Sequence, residues 1–67
     1  MSRRQSAPAH PLVGRYVQLH PATDSWMRGD RYGTVDAVMR DGQRFKIHLF
    51  RSGKTKVFSR RNFEIVD

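Results

Sequence analysis

Between Arg44 and Leu49 polar and apolar residues alternate without a fault. Phe45, Ile47 and Leu49 fall on one side, and Arg44, Lys46 and His48 on the other. A period of two is the mark of a strand with one buried face. The spacing predicts a third strand over Gln43–Phe50, entered from the Asp41-Gly42 hairpin signal and left through Ser52-Gly53. With Ser52 and Gly53 at the tip, Phe50 opposes Thr55, Leu49 opposes Lys56, His48 opposes Val57 and Ile47 opposes Phe58. Phe58 then joins the core, Val57 lies outside beside His48, and Lys56 snorkels beside Leu49. A three-residue turn would pair Ile47 with Val57 instead. After this strand, Ser59–Asn62 reads as one turn of 3-10 helix capped by Ser59. Phe63 and Ile65, with Val66, return to the core as a closing strand.

Upstream, Leu12–Leu19 has the same near-two period and predicts the first strand, with Val17 and Leu19 inward and Tyr16 on the outer parity. The period breaks from His20 to Asp30. That segment predicts a long loop with one helical turn at Asp24–Met27, capped by Thr23 or Asp24. Trp26 within it either closes one end of the core or stands on a binding surface; in so small a domain the core end is preferred. Arg31–Met39 predicts the second strand, with Val35, Ala37 or Val38, and Met39 inward. The adjacent Ala37 and Val38 imply a bulge or a sharp bend, and Gly33 implies a close backbone approach or a kink. Met1–Pro11 carries prolines, serines and Arg3 and Arg4 without periodicity, so residues 1–11 read as a disordered basic arm before a domain over 12–67.

The expected fold is therefore all-β: a small five-stranded barrel of SH3-like type, with one 3-10 turn before the last strand. IHLFRSGKTKVFSRRNFEIV resembles the second half of Tudor-type domains, and RGDRYGTVDAV is similar to the KOW motif at Gly29, Gly33 and Val35. These resemblances imply a module that binds RNA, DNA, ribosomal or transcription components, or methylated side chains. Ser52 stands where many Tudor domains carry an aromatic before the turn glycine, a departure from the methyl-reader pattern. VQLHP at Val17–Pro21 is similar to the VQIYP signature of type II dihydrofolate reductases. That signature lies late in its own family, and here it lies in the first strand.

Composition narrows the chemistry. Sixty-seven residues suffice for one domain and leave little room for a large enclosed active site. With no cysteine there is neither a disulfide nor a thiolate metal site, and His10, His20 and His48 keep no metal-ligand spacing. No metal or cofactor is expected. The carboxylates are scattered among turns and strand ends, and no Ser-His-Asp arrangement forms, so a non-enzymatic role is expected. No apolar run approaches a membrane span, which points to a cytoplasmic protein without membrane attachment.

Thirteen Lys and Arg face six Asp and Glu, a net charge of +7, and more than half of those cations fall after Gln43. A field of that sign draws polyanions. The expected partner is nucleic acid, RNA or DNA, held with low sequence specificity. Its phosphates would meet Arg44, Lys46 and His48 on the third strand, Arg51 and Lys54 at the hairpin tip, and Arg60 and Arg61 on the 3-10 turn. Tyr16, Tyr32 and Phe50, with Trp26, offer rings for stacking. The alternative is an adaptor docking an acidic protein partner. The chain is expected to be a monomer, or a weak homodimer paired through an edge strand.

Overall fold

The computed structural model of the chain describes residues 10–67. Arg3 and Arg4, and most of the expected basic arm, lie outside the described residues. The strands are β1 (Tyr16–Leu19), β2 (Tyr32–Val38), β3 (Arg44–Leu49), β4 (Thr55–Ser59) and β5 (Phe63–Ile65). One short helix, α1 (Asp24–Met27), sits between β1 and β2, and a 3-10 turn (Arg60–Asn62) precedes β5. All five strands join one antiparallel sheet in the order β4-β3-β2-β1-β5. The all-β class and the five strands are as expected. Closure is not: β4 and β5 end the sheet on opposite sides and share no ladder among the described residues.

The sheet nevertheless folds over its own inner face. Phe45 on β3 and Phe63 on β5 are separated in the sheet by β2 and β1, which in a flat sheet would hold them about 14 Å apart. Their ring centroids are 5.3 Å apart, in an edge-to-face contact. Coiling of this degree lets one sheet serve as both walls of a core. Val17, Leu19, Val35, Phe45, Ile47, Leu49, Phe58 and Phe63 are buried in it, with Leu12, Val13, Trp26, Val38 and Ile65 packed around them. Val66, expected inward, is exposed because the last strand pair is Val17 with Ile65 and the period then turns Val66 out.

Three local expectations are corrected. The first strand starts at Tyr16 and not at Leu12, since Leu12–Arg15 is spent in a turn closed by Val13 N–H to the His10 carbonyl (2.9 Å) and Arg15 N–H to the Leu12 carbonyl (3.0 Å). His10, inside the expected arm, packs edge-on against Phe45 at 5.9 Å. In β2 the register slips between Val35 and Ala37, so the extra residue is Asp36, one position before the apolar pair. That placement lets Val38 face Phe45 across the ladder.

The third correction is the β3–β4 register. Phe45 opposes Phe58, Lys46 opposes Val57, Ile47 opposes Lys56 and His48 opposes Thr55. The loop is thus Phe50–Gly53, closed by Leu49 N–H to the Lys54 carbonyl (2.8 Å) and Gly53 N–H to the Leu49 carbonyl (2.9 Å). Pairing Phe58 with Phe45 sets two buried aromatic residues directly opposite each other on the inner face. Each residue of β4 moved two positions along β3, and a shift of two preserves the faces. Phe58 is still buried and Val57 still exposed.

The loop before β2 formed as predicted. Thr23 Oγ1 accepts from the Trp26 N–H at 3.2 Å and caps α1. Gly33 meets its expectation too: a Cβ there would collide with the backbone carbonyl of His48 on β3. Gly33→Ala should therefore cost roughly 2–3 kcal/mol, because a carbonyl inside the ladder cannot yield. Gly42→Ala, with open space around the site but φ of +71°, should cost only about 1 kcal/mol. Urea unfolding of the two variants measures the contrast.

Candidate functional site

The face of the sheet turned away from the core carries two cross-strand rows. One runs Thr55–His48–Thr34–Tyr16 across β4, β3, β2 and β1. The other runs Tyr32–Gln18–Glu64 across β2, β1 and β5, and is extended by Phe50, whose N–H donates to the Tyr32 carbonyl at 3.1 Å. Tyr16 and Tyr32 occupy diagonal positions on neighbouring strands, within reach of long side chains. Phe50 meets Tyr16 edge-on at 5.7 Å and His48 at 6.5 Å. The rings of Tyr16, Tyr32 and Phe50 are each about half exposed, at 53%, 50% and 49%. The strand period alone accounts for their direction. It puts core residues beneath the strand positions and, among the described residues, leaves all three rings partly exposed.

Lys46 continues this face one row further along β3, beside exposed Val57, and Arg44 follows opposite Ser59. Lys54, exposed just after the hairpin loop, opposes buried Leu49 and so falls on the other parity. Two acids share the outer face: Glu64 on β5, and Asp36, exposed at the bulge. On β3 itself the cations are Arg44 and Lys46, while Arg28, Arg31, Arg40 and Arg51 are exposed on other segments.

Two of the expected site residues are elsewhere. Arg51 turns away from the outer face and donates from Nη1 to the Arg28 carbonyl at 3.1 Å, lying over Gly29. Next to it, the Ser52 N–H donates to Oδ1 of buried Asp30 at 3.0 Å. Arg51 thus fastens the hairpin tip to the loop after α1. Trp26 is half buried against the core edge, with the Arg31 guanidinium 4.5 Å above its ring, and stands apart from the other three aromatics. It serves as the end of the core.

Arg44, Arg60 and Arg61 gather at the far end of β3, where the Asp41-Gly42 turn meets the 3-10 turn. Between the two turns lies an open groove of about 410 Å³, lined also by Gly42, Gln43 and Ser59. The walls are joined by the Arg60 N–H, which donates to the Gln43 carbonyl at 3.2 Å. Within the 3-10 turn, Asn62 Nδ2 donates to Ser59 Oγ at 3.1 Å. Arg60 is held further by Nη1 donating to the Phe63 carbonyl (2.8 Å), its guanidinium 5.0 Å from the centre of the Phe63 ring. The groove was missed in the sequence although both of its turns were legible there. Only the true β3–β4 register, which sets Arg44 against Ser59, brings the two together.

Asp41 organises one wall. Its Oδ1 accepts from the N–H groups of Gln43 (2.9 Å) and Arg44 (3.1 Å), and its Oδ2 from Arg44 Nε (2.8 Å). The Gln43 N–H first, and then the Arg44 side chain, hold its pKa below the ordinary carboxylate value. Across the sheet, the Arg15 side chain likewise lowers Asp67, its Nε donating to Oδ1 at 2.8 Å. Among the described residues no His, Asp or Glu cluster suited to a metal is present, and no helix is long and apolar enough to cross a membrane.

No family model, curated protein or solved structure matches the chain. What the outer face can do must be judged from its own chemistry.

The Asp41 bonds predict a pH signature. Because the folded pKa lies below the unfolded one, the turn's contribution is complete above the unfolded value of 3.8 and lost as pH falls through the lowered folded value. Carboxyl ¹³C titration should place the Asp41 midpoint below 3.8 and move it upward in Arg44→Gln, while Asp67 stays where it was.

Proposed function

We propose that the chain is a non-enzymatic module that binds single-stranded nucleic acid on the outer face of its sheet, with low sequence specificity. It would act in the cytoplasm. The observation that carries this reading is the cluster of Tyr16, Tyr32 and Phe50, half exposed and in mutual reach on a face that also carries His48, Lys46 and Arg44. Large aromatics on an uncovered sheet suit bases, which offer a flat apolar surface and take stacking regardless of sequence. Cations along β3 suit the phosphates between those bases. A duplex hides its bases and fits this face poorly. No helix of the described chain is long enough to read a major groove, which supports weak sequence preference.

The same reading takes the module as SH3-like, of the Tudor and KOW kind. Support comes from the return of β5 to β1 after a 3-10 turn and from the strong coil of the sheet. Protein docking finds less support, because Trp26, its expected anchor, is occupied by the core edge and Arg31.

A labelled oligothymidylate and a duplex of equal length, titrated at low salt, test the proposal. The single strand should bind more tightly, with log K falling linearly as log salt rises. Tyr16→Ala and Phe50→Ala should each cost about 1–3 kcal/mol of affinity, as expected for loss of one base-stacking contact. If the amides of Tyr16, Tyr32, His48 and Phe50 do not move in an NMR titration with the oligonucleotide, the proposal is wrong. A partner retained through nuclease treatment and high salt would favour the adaptor instead.

A further inference from the structure

We infer that the groove between the Asp41-Gly42 turn and the 3-10 turn is a phosphate-binding site, and that it receives a phosphate of the strand lying on the outer face. The second half of this inference rests on the function proposed above; the first half stands by itself.

Three guanidinium groups, those of Arg44, Arg60 and Arg61, border the groove, against the single carboxylate of Asp41. That carboxylate is already committed, accepting two backbone N–H groups and Arg44 Nε. The guanidinium groups are far from saturated. A guanidinium has five N–H donors in a rigid fork. Among the described residues Arg44 uses Nε, Arg60 uses Nη1, and Arg61 donates to no protein acceptor. Arg60 is further fixed in place by the Phe63 ring beneath it. Forked donors with free N–H groups, two of the three anchored before any ligand arrives, match a tetrahedral oxyanion better than mobile ammonium groups do.

The position supports the same conclusion. Arg44 lies on the outward parity of β3 with Lys46 and His48, four residues or about 13 Å from His48 along the strand. A strand stacked on Phe50 and Tyr16 and running along β3 therefore meets the groove at the end of the sheet. The aromatics hold bases, and the groove holds backbone.

Inorganic phosphate, titrated into the full chain against chloride at matched ionic strength and followed by ¹H–¹⁵N spectra, tests the site. Saturable shifts are expected at Gly42–Arg44 and Ser59–Asn62, and their loss is expected in Arg61→Gln. An equal response to chloride overturns the site. With oligothymidylate, Arg61→Gln should weaken binding several-fold and lower the slope of log K against log salt by about 0.7, the share of one phosphate contact. Arg61→Lys should keep the slope while still losing affinity, since the charge remains and the fork does not. Unchanged affinity and slope in Arg61→Gln overturn the groove's part in strand binding and leave the aromatic face untouched. Phosphate binding with no oligonucleotide binding keeps the phosphate site and overturns both the strand assignment and the function proposed above. Arg61 is exposed and its side chain bonds to no other described residue, so thermal melting of both variants should match that of the parent chain.

Discussion

The contact between Phe45 and Phe63 is the constraint on which the rest depends. A single sheet of five short strands has no partner layer, and a flat one would leave its apolar face in water. Bringing strands that are three places apart into ring contact solves that problem for a chain that has no cysteine to form a disulfide. The cost is tight packing at the bend. Gly33 has no room for a Cβ, and β2 takes an extra residue at Asp36 to increase its twist. With the inner face folded against itself, the outer face takes no part in that core.

The local devices of this fold were legible in the sequence because each depends on neighbours in the chain. Thr23 as the cap of α1, the tight approach at Gly33, the alternation of Arg44–Leu49 and the single 3-10 turn all follow from residue types at fixed short spacings. What escaped was non-local. The hairpin signal at Ser52-Gly53 suggested a two-residue tip, but the loop is longer because Phe58 finds Phe45 across the sheet and Asp30 draws Ser52 away from the turn. The N-terminal turn was likewise hidden, since the contact of His10 with Phe45 spans more than half the chain.

The candidate site divides along the same line. Period placed Arg44, Lys46, His48 and Tyr16 on the outer parity, where they are found. Arg51 was expected at the hairpin tip among the phosphate contacts, and a long-range bond to the Arg28 carbonyl holds it elsewhere. Trp26 was open between two roles, and the nearness of Arg31 and the core edge decides for the structural one. Arg44, Arg60 and Arg61 were each identified as basic surface residues. Their convergence around one groove required the register.

The fastening of the hairpin tip to the loop after α1 also bears on motion. A helix of one turn is too short to persist by its own hydrogen bonds. Here the Asp30 carboxylate and the Arg28 carbonyl are bonded to Ser52 and Arg51, more than twenty residues away. Fraying of α1 and opening of the β3–β4 loop are consequently a single local event with a shared free energy. Phe50 belongs to that loop, so its ring is tied to the segment that follows α1.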